Sequence, residues 1–120
     1  MNKILVIDDE KDILSILEIV FTANKLIVKT MSNPANFLKE IKDFLPDVIL
    51  MDVNMGHHDG RKICKLLKAD IVHKHIPVIL FSAQPNIQET YPECEANDFI
   101  AKPFDVTDIL ALVKKYLKAA

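Results

Sequence analysis

Short runs dense in aliphatic residues alternate along the chain with longer runs whose apolar positions recur every three or four residues. Residues 3–7 form an almost unbroken aliphatic stretch, the pattern of a strand buried on both faces. From residue 11 to about residue 22, Ile13, Ile16, Leu17, Val20 and Phe21 fall at helical spacing. Residues 26–31 predict a second strand, in which Lys29 suits an edge position. Asn33-Pro34 reads as a helix start, with Asn as N-cap and Pro at the first helical position. Phe37, Leu38, Ile41 and Phe44 then mark one helical face, and Pro46 ends it. Residues 47–51 predict a third strand, followed by a polar loop over 54–60 and a helix with Ile63, Leu66 and Leu67 inward. A fourth strand is expected over 76–81. A short helix follows over 84–91, limited by Pro85 and Pro92. Residues 98–101 make a fifth strand. Asp105 caps a last helix with Val106, Ile109, Leu110, Val113 and Leu117 on one face. Lys114, Lys115 and Lys118 lie near its C-terminal end, where cations suit the helix dipole.

Five strands alternating with five helices imply an α/β fold with a parallel sheet covered on both faces. With 120 residues the chain suits one domain over 1–120 and leaves no room for an output domain. Its net charge of −2 lacks the basic field of a direct nucleic-acid binder. No apolar run approaches the roughly 20 residues that span a bilayer, so membrane insertion is not expected. The apolar N-terminal stretch is too short for a signal peptide. Cys64 and Cys94 form neither a framework nor a CxxC motif, and read as reduced thiols in a cytoplasmic protein, with a lone disulfide as the alternative.

In such sheets, sites lie beyond the carboxyl ends of the strands. The first strand runs into Asp8-Asp9, the third ends at Asp52, the fourth at Ser82 and the fifth at Lys102. One sheet edge therefore collects three carboxylates, a hydroxyl and an ammonium. Clustered carboxylates repel unless a cation joins them, and hard oxygen ligands suit Mg²⁺. Lys102 offers a point charge for phosphate oxygens and Ser82 a hydroxyl donor. This is the equipment of a phosphoryl-transfer site. With two glycines, Gly56 and Gly60, there is no phosphate-cradling loop for a nucleotide.

The stretches 4–10 (ILVIDDE), 47–55 (DVILMDVNM), Asp59-Gly60, 77–83 (PVILFSA) and 98–104 (DFIAKPF) resemble, in order and spacing, the receiver domain of two-component response regulators. The resemblance covers essentially the whole chain. It implies a doubly wound, flavodoxin-like (βα)5 fold with strand order 2-1-3-4-5. It implies that Asp52 is the phosphoacceptor, taking a phosphoryl group from a sensor histidine kinase or a histidine phosphotransfer protein. Asp8, Asp9, Asp52 and the backbone carbonyl of Asn54 would hold Mg²⁺, with Mn²⁺ as a substitute. Ser82 and Lys102 would contact the phosphoryl oxygens, and the Lys102-Pro103 bond would be cis. Ser82 and Phe99 would act as the switch that repacks the face formed by the fourth helix, fifth strand and fifth helix, where a downstream effector would bind. Asn54 and Gln84 stand at positions that tune phosphoryl lifetime in the family. Gly56 stands where many receivers have Pro, and the last helix lacks the arginines of a winged-helix regulator's dimer, which implies a monomer or weak dimer.

Plainer roles exist for the same residues. Asp8-Asp9 suits a helix N-cap, and Phe99 and Phe104 suit the core. His57 and His58 read as solvated loop residues, with transition-metal ligation as the alternative. Cys64 reads as a small packing residue. Two other functions use a similar fold: a Mg²⁺-dependent aspartyl-phosphate phosphatase or phosphotransferase, and an FMN-binding module. The first would have a second acid two residues after Asp52, where Asn54 stands. The second would need Ser/Thr/Gly-rich phosphate loops, which are absent.

Overall fold

The computed structural model describes residues 2–83 and 91–117. In chain order the elements are β1 (Lys3–Ile7), α1 (Lys11–Ala23), β2 (Ile27–Met31), α2 (Phe37–Phe44), β3 (Val48–Asp52), β4 (Asn54–Met55), β5 (His58–Asp59), α3 (Gly60–Lys68), β6 (Val78–Ser82), a 3-10 turn (Tyr91–Cys94), β7 (Asp98–Ala101) and α4 (Val106–Tyr116). The helix expected after the fourth long strand, and Gln84 with it, lies outside the described residues.

The five long strands form one parallel sheet in the order β2-β1-β3-β6-β7, which is the expected topology. The register runs Ile7↔Met51, Asp52↔Phe81 and Ser82↔Ala101, so the C-terminal ends of β1, β3 and β6 and the residues after β7 share one edge. Successive residues of the central strands serve opposite layers. Ile4, Val6, Val48, Leu50, Ile79 and Phe81 pack with Leu14, Leu17 and Phe21 of α1 and with Ile109 and Val113 of α4. Leu5, Ile7, Ile49, Met51, Val78 and Leu80 pack with Phe37 and Ile41 of α2 and with Ile63, Cys64 and Leu67 of α3. That period-two division explains why the strands read as continuous apolar runs.

Several sequence expectations are corrected. Asn33 does not start α2. Its Oδ1 accepts the Ala35 N–H at 2.8 Å in a local turn, and helical backbone begins only at Phe37, because an Asn side chain serves a turn as readily as a cap. Leu66 faces solvent, as do Ile16 and Leu38. Cys64, one turn from Gly60, takes the inward place on α3 beside Ile63 and Leu67. The polar loop after Asp52 folds back as the β4–β5 hairpin, turning at Gly56 with a φ of 62°. At the other end, the Asp105 side chain caps α4 by accepting the Thr107 N–H at 2.9 Å, as its position before an apolar helical run indicates.

Candidate functional site

Asp8 follows β1 and is fully buried. Its Oδ1 accepts the Glu10 N–H at 2.9 Å, and Glu10 itself is the N-cap of α1 without a side-chain cap. Neither Asp8 nor Asp9 therefore caps that helix, which leaves both carboxylates to the sheet edge. The second Asp8 oxygen accepts from Lys102 Nζ at 3.1 Å. The same Nζ lies 3.4 Å from Asp52 Oδ2 and 3.6 Å from Glu10 Oε1. It also stands over the Phe81 ring, 4.8 Å from its centroid. Phe104 meets that ring edge-on, with centroids 6.0 Å apart. Lys102 is thus the hub that joins the ends of β1 and β3.

Asp52 is 4% exposed and Ser82 is 1% exposed. The Lys102 N–H donates to the Ser82 carbonyl at 2.8 Å, extending the β6–β7 ladder and setting the two residues side by side. The following Lys102-Pro103 peptide is cis. Opposite Asp52, the α3 N-terminus comes so close that a Cβ on Gly60 would collide with the Asp52 carbonyl oxygen, and the Gly60 N–H donates to the Val53 carbonyl at 2.7 Å. Only glycine lets α3 start there.

Burial pushes the Asp52 carboxyl up to about 6, and the Asp8 charge adds to the rise, against the pull of Lys102 and the Asn54 N–H. Burial likewise raises Asp8, opposed by its bonds to the Glu10 N–H and Lys102. For Lys102, burial works against the charge, yet Asp52, Asp8 and Glu10 together hold its pKa above the ordinary value. The site is a mutually adjusted set of two buried acids and one cation.

Asp9 and Glu10 are exposed. Their carboxylate oxygens and those of Asp8 lie within 4.8 Å of one another, so Glu10 belongs to the acidic cluster that sequence reasoning confined to Asp8, Asp9 and Asp52. The signal was the unbroken acidic run Asp8-Asp9-Glu10. Asn54 is exposed on β4 and donates its N–H to Asp52. Phe99 sits on β7 opposite Leu80, half-buried against the α2–α3 layer. Sequence reasoning missed Tyr116, whose hydroxyl donates to Asp98 Oδ2 at 2.8 Å and lies 3.0 Å from the Asn97 carbonyl, pinning α4 to the start of β7. His57 and His58 are exposed in the hairpin. Among the described residues, no helix is long and apolar enough to cross a membrane.

The model of the response regulator receiver domain family matches residues 4–114. The response regulator PleD of Caulobacter vibrioides is 37% identical over 115 residues, covering 93% of this chain and 25% of PleD. A solved structure of a response regulator from Chloroflexus aurantiacus aligns with a TM-score of 0.88 at 28% identity, over 96% of both chains. The BeF3-activated DrrB receiver domain aligns at 0.85 with 29% identity over 99% of each. The chain spans a quarter to a half of the length of the curated relatives it matches.

Proposed function

The chain belongs to the response regulator receiver domain family, the phosphoacceptor module of two-component signalling, and on that premise we propose that Asp52 is its phosphoacceptor. The observation that carries this is the pairing of a buried Asp52 carboxylate with Lys102, 3.4 Å away, at the edge where Asp8 and Ser82 also end. A carboxyl at about 6 is mostly ionised at neutral pH and is available as a nucleophile. One Asp52 oxygen attacks phosphorus of a phosphohistidine, the P–N bond breaks, and the electron pair returns to the imidazole. Lys102 leaves part of its interaction with Asp52 to meet the phosphoryl oxygens, and the Ser82 hydroxyl donates to one of them.

The donor set fits a hard divalent cation. Asp8, Asp9 and Asp52, with the Asn54 carbonyl, would hold Mg²⁺ or Mn²⁺, and Glu10 adds a further oxygen beside Asp8 and Asp9. Such an ion, when bound, neutralises the carboxylates and the incoming phosphoryl charge. The donor would be a sensor histidine kinase or a histidine phosphotransfer protein. The domain turns over no external metabolite, and it works in the cytoplasm as a monomer or weak dimer. Movement of Ser82 toward the phosphoryl group, with Phe99 turning inward, would repack β7 and α4 for a downstream effector. The BeF3-activated form of DrrB supports the reading, because beryllofluoride mimics a phosphoryl group on a carboxylate.

Intact-mass measurement after incubation with a small phosphodonor, with and without Mg²⁺, tests the assignment. Wild type gains one phosphoryl group in a Mg²⁺-dependent manner and Asp52→Asn gains none. Equal labelling of the two removes Asp52 from the role.

A further inference from the structure

Away from the phosphoryl site, α3 and the 3-10 turn before β7 meet at two reduced thiols. Cys64 is fully buried on α3 and Cys94 is 4% exposed at the end of the turn. Cys64 Sγ donates to the Cys94 main-chain carbonyl at 3.5 Å, which brings two cysteines 30 positions apart in the sequence into direct contact. Cys94 also lines a cavity of about 180 Å³ whose other walls are Arg61, Lys62, Lys65 and Glu93. Three cations and one carboxylate thus line the cavity beside Cys94. Arg61 is tied to Asp59 through contacts of 2.8 and 3.1 Å, so the attraction for an anion falls mainly on the exposed Lys62 and Lys65.

We propose that Cys94 is an exchange-active thiol that reacts through this cavity with a small anionic disulfide such as glutathione disulfide, and that Cys64 resolves the product. In the first step the Cys94 thiolate attacks one sulfur of the disulfide. Its S–S bond breaks, a protein–glutathione mixed disulfide forms, and one glutathione thiolate leaves. In the second step Cys64 loses its proton to solvent and attacks Cys94 Sγ, forming the Cys64–Cys94 bond and releasing the second glutathione. The two cysteines are oxidised by two electrons and the disulfide is reduced by two.

The surroundings divide the roles. The neighbouring Cys64 side chain lowers the Cys94 pKa, against burial and with help from two backbone N–H groups and Arg61. Cys64, as the donor and fully buried, is held well above the ordinary thiol range. Cys94 lines the cavity and Cys64 does not, so Cys94 is the attacking sulfur and Cys64 the reserve. A cavity of that size holds several waters, enough to admit the disulfide end of a tripeptide whose carboxylates stay outside, near Lys62 and Lys65. The resulting bond would tie α3 to the turn that leads into β7.

The test treats the whole chain with glutathione disulfide at about pH 7.5, quenches with acid and reads mass and peptide maps. Wild type ends two hydrogens lighter with a Cys64–Cys94 peptide pair, and early quenches show a glutathione adduct on Cys94. Cys64→Ala stops at that adduct; if that variant fails to fold, the early wild-type quenches carry the same information. Lys62→Gln with Lys65→Gln slows the reaction several-fold with glutathione disulfide but not with neutral hydroxyethyl disulfide. Asp52→Asn reacts as wild type does, since the chemistry is independent of phosphorylation. Thiols that stay unmodified until denaturant is added, an adduct on Cys64 ahead of Cys94, or equal slowing with both disulfides would each overturn the proposal.

Discussion

Replacing Asp52 with Asn keeps the shape of the side chain and removes its charge, so it isolates what the buried charge costs the fold. Asp52 moves from 3.8 to about 6 on folding, roughly two units at about 1.4 kcal/mol each, or about 3 kcal/mol. At 4% exposure solvent gives little screening to discount. The folded carboxyl holds its proton more tightly than the unfolded one. The penalty is therefore absent well below pH 3.8, where both states are protonated, and it grows through the window from 3.8 to about 6. Asp52→Asn should be more stable than wild type by up to about 3 kcal/mol at about pH 7.5, with the gap closing as pH falls through that window. Urea denaturation of both proteins in chelator, at several pH values from about 4 to 7.5, reads the difference directly. Adding Mg²⁺ should narrow the gap at high pH, because an ion that binds only the folded wild-type site stabilises it by mass action. A variant no more stable than wild type at high pH, or an offset that does not change with pH, refutes the reasoning.

Other positions give independent checks. Lys102→Met strips two buried carboxylates of their shared cation. It should lower stability by about 1–3 kcal/mol at neutral pH, and by less at about pH 5, where Asp52 is mostly protonated; a pH-independent loss would mean that Lys102 contributes through packing on Phe81. Gly60→Ala forces a Cβ against the Asp52 carbonyl and should cost about 1–3 kcal/mol while slowing phosphorylation of Asp52. Thermal unfolding within error of wild type would show that α3 yields at no cost. Tyr116→Phe removes the hydroxyl that joins α4 to Asp98 and should cost about 0.5–1.5 kcal/mol, with faster amide exchange at the C-terminal end of α4. Unchanged exchange there would leave the tether without a role.

Much of the candidate site was legible because parallel strands buried on both faces stand out as aliphatic runs, and their ends can be read directly. Asp8, Asp52, Ser82 and Lys102 each adjoin such a run, and the sheet brings them to one edge. What local pattern cannot express was missed. Asn33-Pro34 carried a valid helix-start signal that the local turn used instead. Leu66 sits beside Leu67 but points outward, since Gly60, Ile63, Cys64 and Leu67 make the buried stripe of α3. The Cys64–Cys94 meeting itself depends on how α3 docks beside the turn before β7, which no short window of sequence encodes.

The two-layer sheet has a consequence for alignment. Ile4, Leu5, Val6 and Ile7 are all fully buried, two toward each layer. Sliding β1 by one residue would exchange the layers without exposing a polar side chain among those four, so greasiness cannot tell the strand where to stop. The polar residues at its two ends can. The Lys3 N–H donates to Asp47 Oδ2 at 2.8 Å, and its ammonium reaches the Phe44 carbonyl at 3.2 Å. At the far end, the Asp8 N–H donates to the Met31 carbonyl at 3.1 Å, and its carboxylate meets Lys102. A one-residue slip would withdraw Asp8 from Lys102 and carry Lys3 away from Asp47. The acid just past the C-terminal end of β1 therefore works as a measuring mark, and its charge also keeps β1 in step with its neighbours.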